Sequence, residues 1–367
     1  MKPHFAKRFQ MIQAKMSELE LDFLLVNNRE NLIYFTGLTQ IECMAILIPR
    51  QGQPCAITLW LDAQFVRQQT GLQTYGYVFP QDNLADSLVR HIRAGGVEQP
   101  RIGFERYFVP FAVYDALRQA FPEQGFVNAS PLFYQLRSVK DEQELALMKR
   151  AGQIVAAGMA AAVERVAAGV SELEVLAEAE YAMLKAGSGG SPFRPQVVSG
   201  ARTLLTHPLA SEKLIQAGEL VVIHLGAAYS GYCAKLCRTV AVGEVGAGRR
   251  AVYELLRQAQ AAACQALKPG VSVDEVDRNA REIIREAGWE QHYLDVIGYG
   301  VGIRQSEFYP IIGKGRQDRI EAGMVVDLLL PTIYHPDVGG ARITDCIYIG
   351  QSGNERITPY SQELIQK

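Results

Sequence analysis

The chain has 367 residues, 48% of them hydrophobic, and a formal net charge of −2. That length admits two domains with a sizeable core. Acids and bases are interspersed, which excludes a basic stripe for nucleic acid, and the longest apolar runs, such as 45–49, are far too short to cross a bilayer.

The start, Met1-Lys2-Pro3-His4, leads into a mixed-charge stretch and does not read as a signal peptide. Of the six cysteines, Cys43 and Cys55 lie early, and Cys233, Cys237, Cys264 and Cys346 lie late. There is no CxxC pair, and Cys233 and Cys237 have no second pair to complete a zinc site. Free, mostly buried thiols in a reducing, cytoplasmic setting are expected.

Phe9, Ile12, Met16 and Leu19 recur at helical spacing. Phe23–Val26 reads as a short buried strand, and Asn27 and Asn28 begin a turn. A strand over Cys55–Leu59 and a helix over Leu84–Arg93 continue the alternation to about Phe133, which predicts a small α/β domain. Asp141 is placed to cap a long helix through Glu142, Leu145, Met148 and Ala151. The boundaries are therefore set at 1–135 for the first domain, 136–140 for a linker and 141–367 for the second.

The second domain contains a repeat. Gly169-Val170-Ser171 and Gly270-Val271-Ser272 stand 101 residues apart, and Gly187 and Gly288 keep the same offset. Each copy reads as helix, Gly-Val-Ser turn, helix, then Ala-Gly, with Gly ending one helix and Ser capping the next. Duplicated halves with a cleft between them are implied.

Several segments then resemble the pita-bread metallopeptidase family of Xaa-Pro aminopeptidases, prolidase and creatinase. The stretch 136–144 is similar to the family's entry into its catalytic domain. Residues 222–227 and 231–240 resemble its first metal-binding hairpin, and 298–307 its HG(I/V)G…HE motif. Gly323-Met324-Val325 and 341–345 resemble its last two ligand strands, and Tyr34-Phe35-Thr36-Gly37 its N-terminal domain. The resemblance spans nearly the whole chain. It implies an α/β (α+β) fold class, with a duplicated C-terminal pita-bread domain behind a smaller creatinase-like N-terminal domain.

Members of that family hold two divalent ions with Asp, Asp, His, Glu and Glu, which neutralise the ions and a bridging hydroxide. Carried over by position, the two Asp places hold His224 and, 11 residues later, Lys235. The His place holds Tyr299, and the catalytic His seven residues on is Ser306. The Glu places hold Leu330, with the register in Leu328-Leu329-Leu330-Pro331 open by one, and Thr344. An ammonium beside a dication is repelled, so neither a dinuclear metal site nor any other cofactor is expected. A single ion held by His207, His224 and Glu307 is the alternative that the donors leave open.

The replacements are polar and titratable, which points to a new polar function rather than decay. His207 matches a substrate-side histidine that is the general base in metal-free creatinase, against a histidine merely hydrogen-bonded to backbone. His224, Tyr299 and Glu307 join it as catalytic candidates. Glu307 is read as a partner for Lys235, a proton carrier or a structural salt bridge. Lys235, Cys237 and Arg342 are the substrate-binding candidates, Lys235 to pair with a substrate carboxylate. Cys237 shares a strand face with Cys233 and Lys235 and reads as nucleophile or buried structural thiol. Arg342 and Asp345 are expected to pair and hold the last strand, and Arg238 and Thr239 look structural.

The expected function is a metal-independent hydrolase or C–N bond-cleaving enzyme acting on a small anionic amino-acid-like or dipeptide-like substrate. Guanidinium substrates are excluded, because creatinase's binding acids fall at Cys237 and Leu330. The rivals are a non-catalytic pseudo-peptidase that binds a peptide or small ligand, and a metallopeptidase with rearranged ligands. The resemblance further implies a homodimer, with residues near Tyr34–Glu42 or Trp60 closing a partner's site.

Overall fold

The computed structural model describes residues 2–122, 125–330 and 333–367, and of Leu329 and Leu330 it describes the backbone. The chain divides into two compact units, Met1–Arg137 and Ser138–Lys367.

In the first unit, α1 (Pro3–Met16) starts on a proline, whose missing N–H is no loss at a helix start, and buries Phe5, Phe9, Ile12 and Met16. It is followed by β1 (Phe23–Val26) and α2 (Arg29–Thr36), whose first N–H groups are accepted by the Asn28 side chain. Then come β2 (Ala45–Pro49), β3 (Cys55–Leu59), α3 (Trp60–Thr70), β4 (Gln73–Tyr77), α4 (Leu84–Ala94), β5 (Ile102–Phe104), α5 (Phe111–Ala120), β6 (Phe126–Asn128) and α6 (Ser130–Ser138). The strands form a six-stranded mixed sheet in the order β4-β3-β2-β1-β5-β6. Its core joins Leu25, Leu47 and Ile57 to Leu88, Ile92 and Leu117 of the helices. Tyr34 is buried, with the Arg8 guanidinium over its ring, so its side chain is committed inside this unit, whereas Trp60 is exposed. The expected linker begins inside α6.

The second unit opens with α7 (Glu142–Arg165), on which Asp141 and Glu144 form a capping box. Then follow α8 (Glu172–Lys185), β7 (Gln196–Ser199), β8 (Leu220–Tyr229), β9 (Tyr232–Ala241), α9 (Ala247–Ala266), α10 (Val273–Glu286), β10 (Val296–Gly300), β11 (Ile311–Gly313), β12 (Val325–Leu330), β13 (Ile343–Ile349), β14 (Asn354–Arg356) and β15 (Ile365–Gln366). The repeat is visible in three dimensions. Ser171 caps α8 and Ser272 caps α10, each after a glycine with φ of 84° (Gly169) or 88° (Gly270), conformations that side chains with a Cβ resist.

The sheet runs β11-β10-β12-β13-β9-β8-β7, with β14 beside β13 and β15 beside β9. One face is apolar. Val326, Leu328, Ile343 and Ile347 pack there against Val252, Leu256 and Ala263 of α9 and Val276, Ala280 and Ile284 of α10. Strand alternation sends residues 327, 344 and 346 to the other face, which carries the polar groups.

Candidate functional site

The site is set by one hairpin. Ser230 and Gly231 both have positive φ, 47° and 86°, as a two-residue turn joining β8 to β9 requires. The turn fixes Tyr229 opposite Tyr232, and hence Gly226 opposite Lys235 and His224 opposite Cys237. Gln196 of β7 stands opposite His224, and Thr344 of β13 opposite Cys237. Directly opposed residues in antiparallel strands project to one side, so Gln196, His224, Cys237 and Thr344 form a transverse row. The residue opposite Thr344 is Leu329 and not Leu330, which settles the register left open by the sequence; the Leu329 and Leu330 side chains, and Pro331, lie outside the described residues.

A parallel row lies two residues along: Gly226, Lys235, Cys346, Asp327 and Tyr299. Lys235 and Asp327 are both buried and form an ion pair. The Lys235 ammonium also donates to Ser306 Oγ (2.9 Å) and Gln305 Oε1 (3.3 Å). An ammonium has three donors, and all three are taken. This corrects the expectation that Lys235 receives a substrate carboxylate. Burial raises the Asp327 carboxyl from its ordinary value, while the Lys235 ammonium and the Tyr299 backbone N–H, which donates to Oδ1, pull against it. The Tyr299 ring lies 6.0 Å from the ammonium.

Glu307 does not take the role of Lys235's partner. It is buried after the β10 strand, and its Oε1 accepts from the Arg304 N–H at 3.3 Å. The anticipated Arg342–Asp345 pair also gives way. Residues three apart on a strand face opposite sides, and Asp345 pairs with Arg238 at 2.8 Å on the helix-facing side. Arg342 instead donates to Gln196 Oε1 (3.0 Å) and to the Leu205 carbonyl (2.6 Å), which ties down the segment leading to His207.

His224 lies against the Phe193 ring at 4.8 Å, and its Nε2 is buried with no hydrogen-bond partner among the described residues. Burial, then the charges of Lys235, Arg342 and His207, hold its pKa well below the ordinary histidine value, so the imidazole is neutral. His207 is exposed. Phe193 and Pro192 sit over Gly226, where a Cβ would come within 2.4 Å of the ring, so they wall this side of the face. The Cys237 thiol is fully buried and pushed up to about 12 by desolvation, which removes it as a nucleophile and as a ligand contact in thiolate form. Cys346 is likewise buried and pushed up to about 12, and its thiol lies against the Lys235 backbone. Sequence reasoning missed Asp327 and Phe193. The signal for Asp327 was one acid inside the apolar run 325–330, which burial obliges to find a cation.

Two divalent ions do not fit these residues. The places that would ligate them present an imidazole, an ammonium, a phenol and a hydroxyl, and the one carboxylate in the row is already neutralised by Lys235. No group of three or more His, Cys, Asp and Glu side chains able to hold a metal ion occurs among the described residues.

Comparison with known proteins places this geometry in a family context. The pattern described as metallopeptidase family M24 matches residues 146–351, and that of the creatinase/prolidase N-terminal domain matches residues 8–139. The chain is 34% identical over 359 residues to an Xaa-Pro dipeptidase of Lactobacillus delbrueckii subsp. lactis, covering 96% of this chain and 97% of that one. It is 29% identical over 350 residues to an Xaa-Pro dipeptidase of Pyrococcus horikoshii, covering 95% and 96%. The solved Xaa-Pro dipeptidase from Bacillus anthracis matches it with a TM-score of 0.91 at 29% identity, covering 99% and 100%.

Proposed function

The chain belongs to metallopeptidase family M24, and from that premise we propose that it is a hydrolase working without the family's two metal ions, cleaving a C–N bond in a small amino-acid-like or dipeptide-like substrate. The fold is the family's, a creatinase-type N-terminal domain before a pita-bread domain. The observation that carries the proposal is the Lys235 ammonium, buried and saturated by Asp327, Ser306 and Gln305 where a metal site would need anionic donors.

Chemistry then falls to the histidines. His207 takes a proton from water, and the resulting hydroxide adds to the substrate's carbonyl carbon. The C–N bond breaks with its electron pair on nitrogen, and His207 returns the proton to that nitrogen. His224, held neutral, is suited to hydrogen-bond the substrate without competing for the proton. The names of the relatives point to dipeptides as the first substrates to try. The test is turnover of glycyl-L-proline and N-acetyl amino acids by chelator-treated protein, together with metal content by plasma mass spectrometry. Turnover that persists far below one equivalent of metal, and disappears in His207→Ala, is expected. One stoichiometric metal, with activity that follows its removal and return, overturns the proposal.

A second reading, a binding module without turnover, is favoured by the Cys237 thiol: buried and protonated, it is withdrawn as a thiolate nucleophile from the row. Ligand recovered unaltered after long incubation would select that reading.

A further inference from the structure

We infer that His224 and Thr344 form a ligand subsite, gripping the oxygens of an amide-and-carboxylate ligand of dipeptide size, an inference that rests on the substrate class proposed above. Both stand in the transverse row, His224 on β8 and Thr344 on β13, with Cys237 of β9 between them. His224 Nε2 and Thr344 Oγ1 are both buried, and neither has a hydrogen-bond partner among the described residues. Within the strands of this sheet no other described side-chain polar atom is buried in that condition, since the Asp327 oxygen is met by the Lys235 ammonium.

A second threonine on this same face gives a direct contrast. Thr239, two residues along β9 from Cys237 and as buried as Thr344, both donates to the Arg342 carbonyl and accepts from the Arg342 N–H, each at 2.8 Å. Burying a hydroxyl with no partner is destabilising, and valine would fill the same space without that penalty. A threonine kept in this condition beside an imidazole kept in the same condition marks the place where a partner arrives from outside.

The chemistry of that partner follows from the groups. The Thr344 hydroxyl donates to an oxygen, and the His224 imidazole, neutral, offers one further hydrogen bond. Arg342 extends a positive field over both His224 and Cys237, which favours an oxygen-rich, anion-bearing ligand. Two strand spacings separate the Cα atoms of the pair, roughly 10 Å. An extended dipeptide spans roughly 7 Å, and the two side chains close the remainder. Phe193, its ring tilted against that of His224 at 4.8 Å, supplies an apolar wall for the ligand's side chain.

The experiment uses the full chain and two probes, glycyl-L-proline and N-acetyl-L-alanine, with affinity read by calorimetry and stability by thermal unfolding of the free protein. Thr344→Val is expected to leave the melting temperature unchanged or raise it, and to weaken the binding of at least one probe roughly tenfold, the worth of one lost hydrogen bond. Thr344→Ser, which keeps the hydroxyl, is expected to retain affinity. A Val variant that melts lower, fails to fold or binds both probes as tightly as the wild type overturns the inference, as does a wild type that binds neither. Binding is measured apart from turnover. Intact probes with weakened binding in Thr344→Val sink the hydrolase and keep the subsite, whereas turnover with unchanged affinity sinks the subsite alone.

Discussion

The two faces of the C-terminal sheet each bury an ion pair, and the pairs share strand β9. On the helix-facing side, Arg238 uses its guanidinium on Asp345 (2.8 Å) and on the carbonyls of Cys237, Thr344, Tyr360 and Ser361. Asp345 in turn accepts from Thr358 and Gln362. On the polar side, Lys235 uses its three donors on Asp327, Ser306 and Gln305. Both cations are saturated, so neither is free to meet a substrate. The faces differ in what surrounds the pairs. Around Arg238 the neighbouring polar groups are also matched, while along the row beside Lys235 a hydroxyl and an imidazole nitrogen are not. Saturation marks structure, and the groups left over mark where a ligand is received.

Breaking the helix-side pair has the largest expected effect. Arg238→Met leaves the Asp345 carboxylate buried without its cation and should remove about 3–5 kcal/mol of stability, read from the urea midpoint of the C-terminal unit. A loss under about 1 kcal/mol would mean that Asp345 is neutral in the fold and that the two pairs are not comparable. Lys235→Met should cost less, about 3 kcal/mol, because Arg238 also donates to four backbone carbonyls, whereas beyond Asp327 Lys235 serves only the Ser306 and Gln305 side chains. The sharper measurement adds Asp327→Leu. Replacing both charges with apolar groups should recover most of the loss. A double variant no more stable than Lys235→Met would show that the charges are not coupled.

Much of the fold was legible because its signals are local. The helix caps at Asp141, Ser171 and Ser272 are written within four residues of each start, and the 101-residue repeat is written in the Gly-Val-Ser turns. Phe23–Val26 and Cys55–Leu59 are strands with the bounds read from the sequence. The failures at the site have a different origin. Asp345 and Arg342 are three apart, and alternation alone would have put them on opposite faces; the error was to pair neighbours in sequence. Lys235 finds its acceptors 70 and more residues away, on Gln305, Ser306 and Asp327, and no local pattern announces that meeting. The Leu329–Thr344 register depends on how β12 and β13 pair across the segment between them, which the apolar run 328–330 leaves ambiguous.

The smallest predicted effect tests whether the polar face is as unmatched as the comparison requires. The His224 imidazole has a folded pKa held well below its ordinary value by burial and by the charges of Lys235, Arg342 and His207. In the unfolded chain it titrates near about 6.5. Below that pH the unfolded state binds a proton that the folded state refuses, so stability rises with pH through the window and falls as the solution is acidified. The slope from this one group is at most about 1.4 kcal/mol per pH unit. His224→Phe removes it, while every other titrating group contributes to both proteins. The gap between wild-type and variant stability should therefore shift in the variant's favour as pH falls from 6.5 to 5, by at most about 1.7 kcal/mol. Parallel curves would mean that the imidazole takes up its proton in the fold as readily as in water. It would then be a solvated group and not a withheld one, and the contrast between the faces would rest on Thr344 alone.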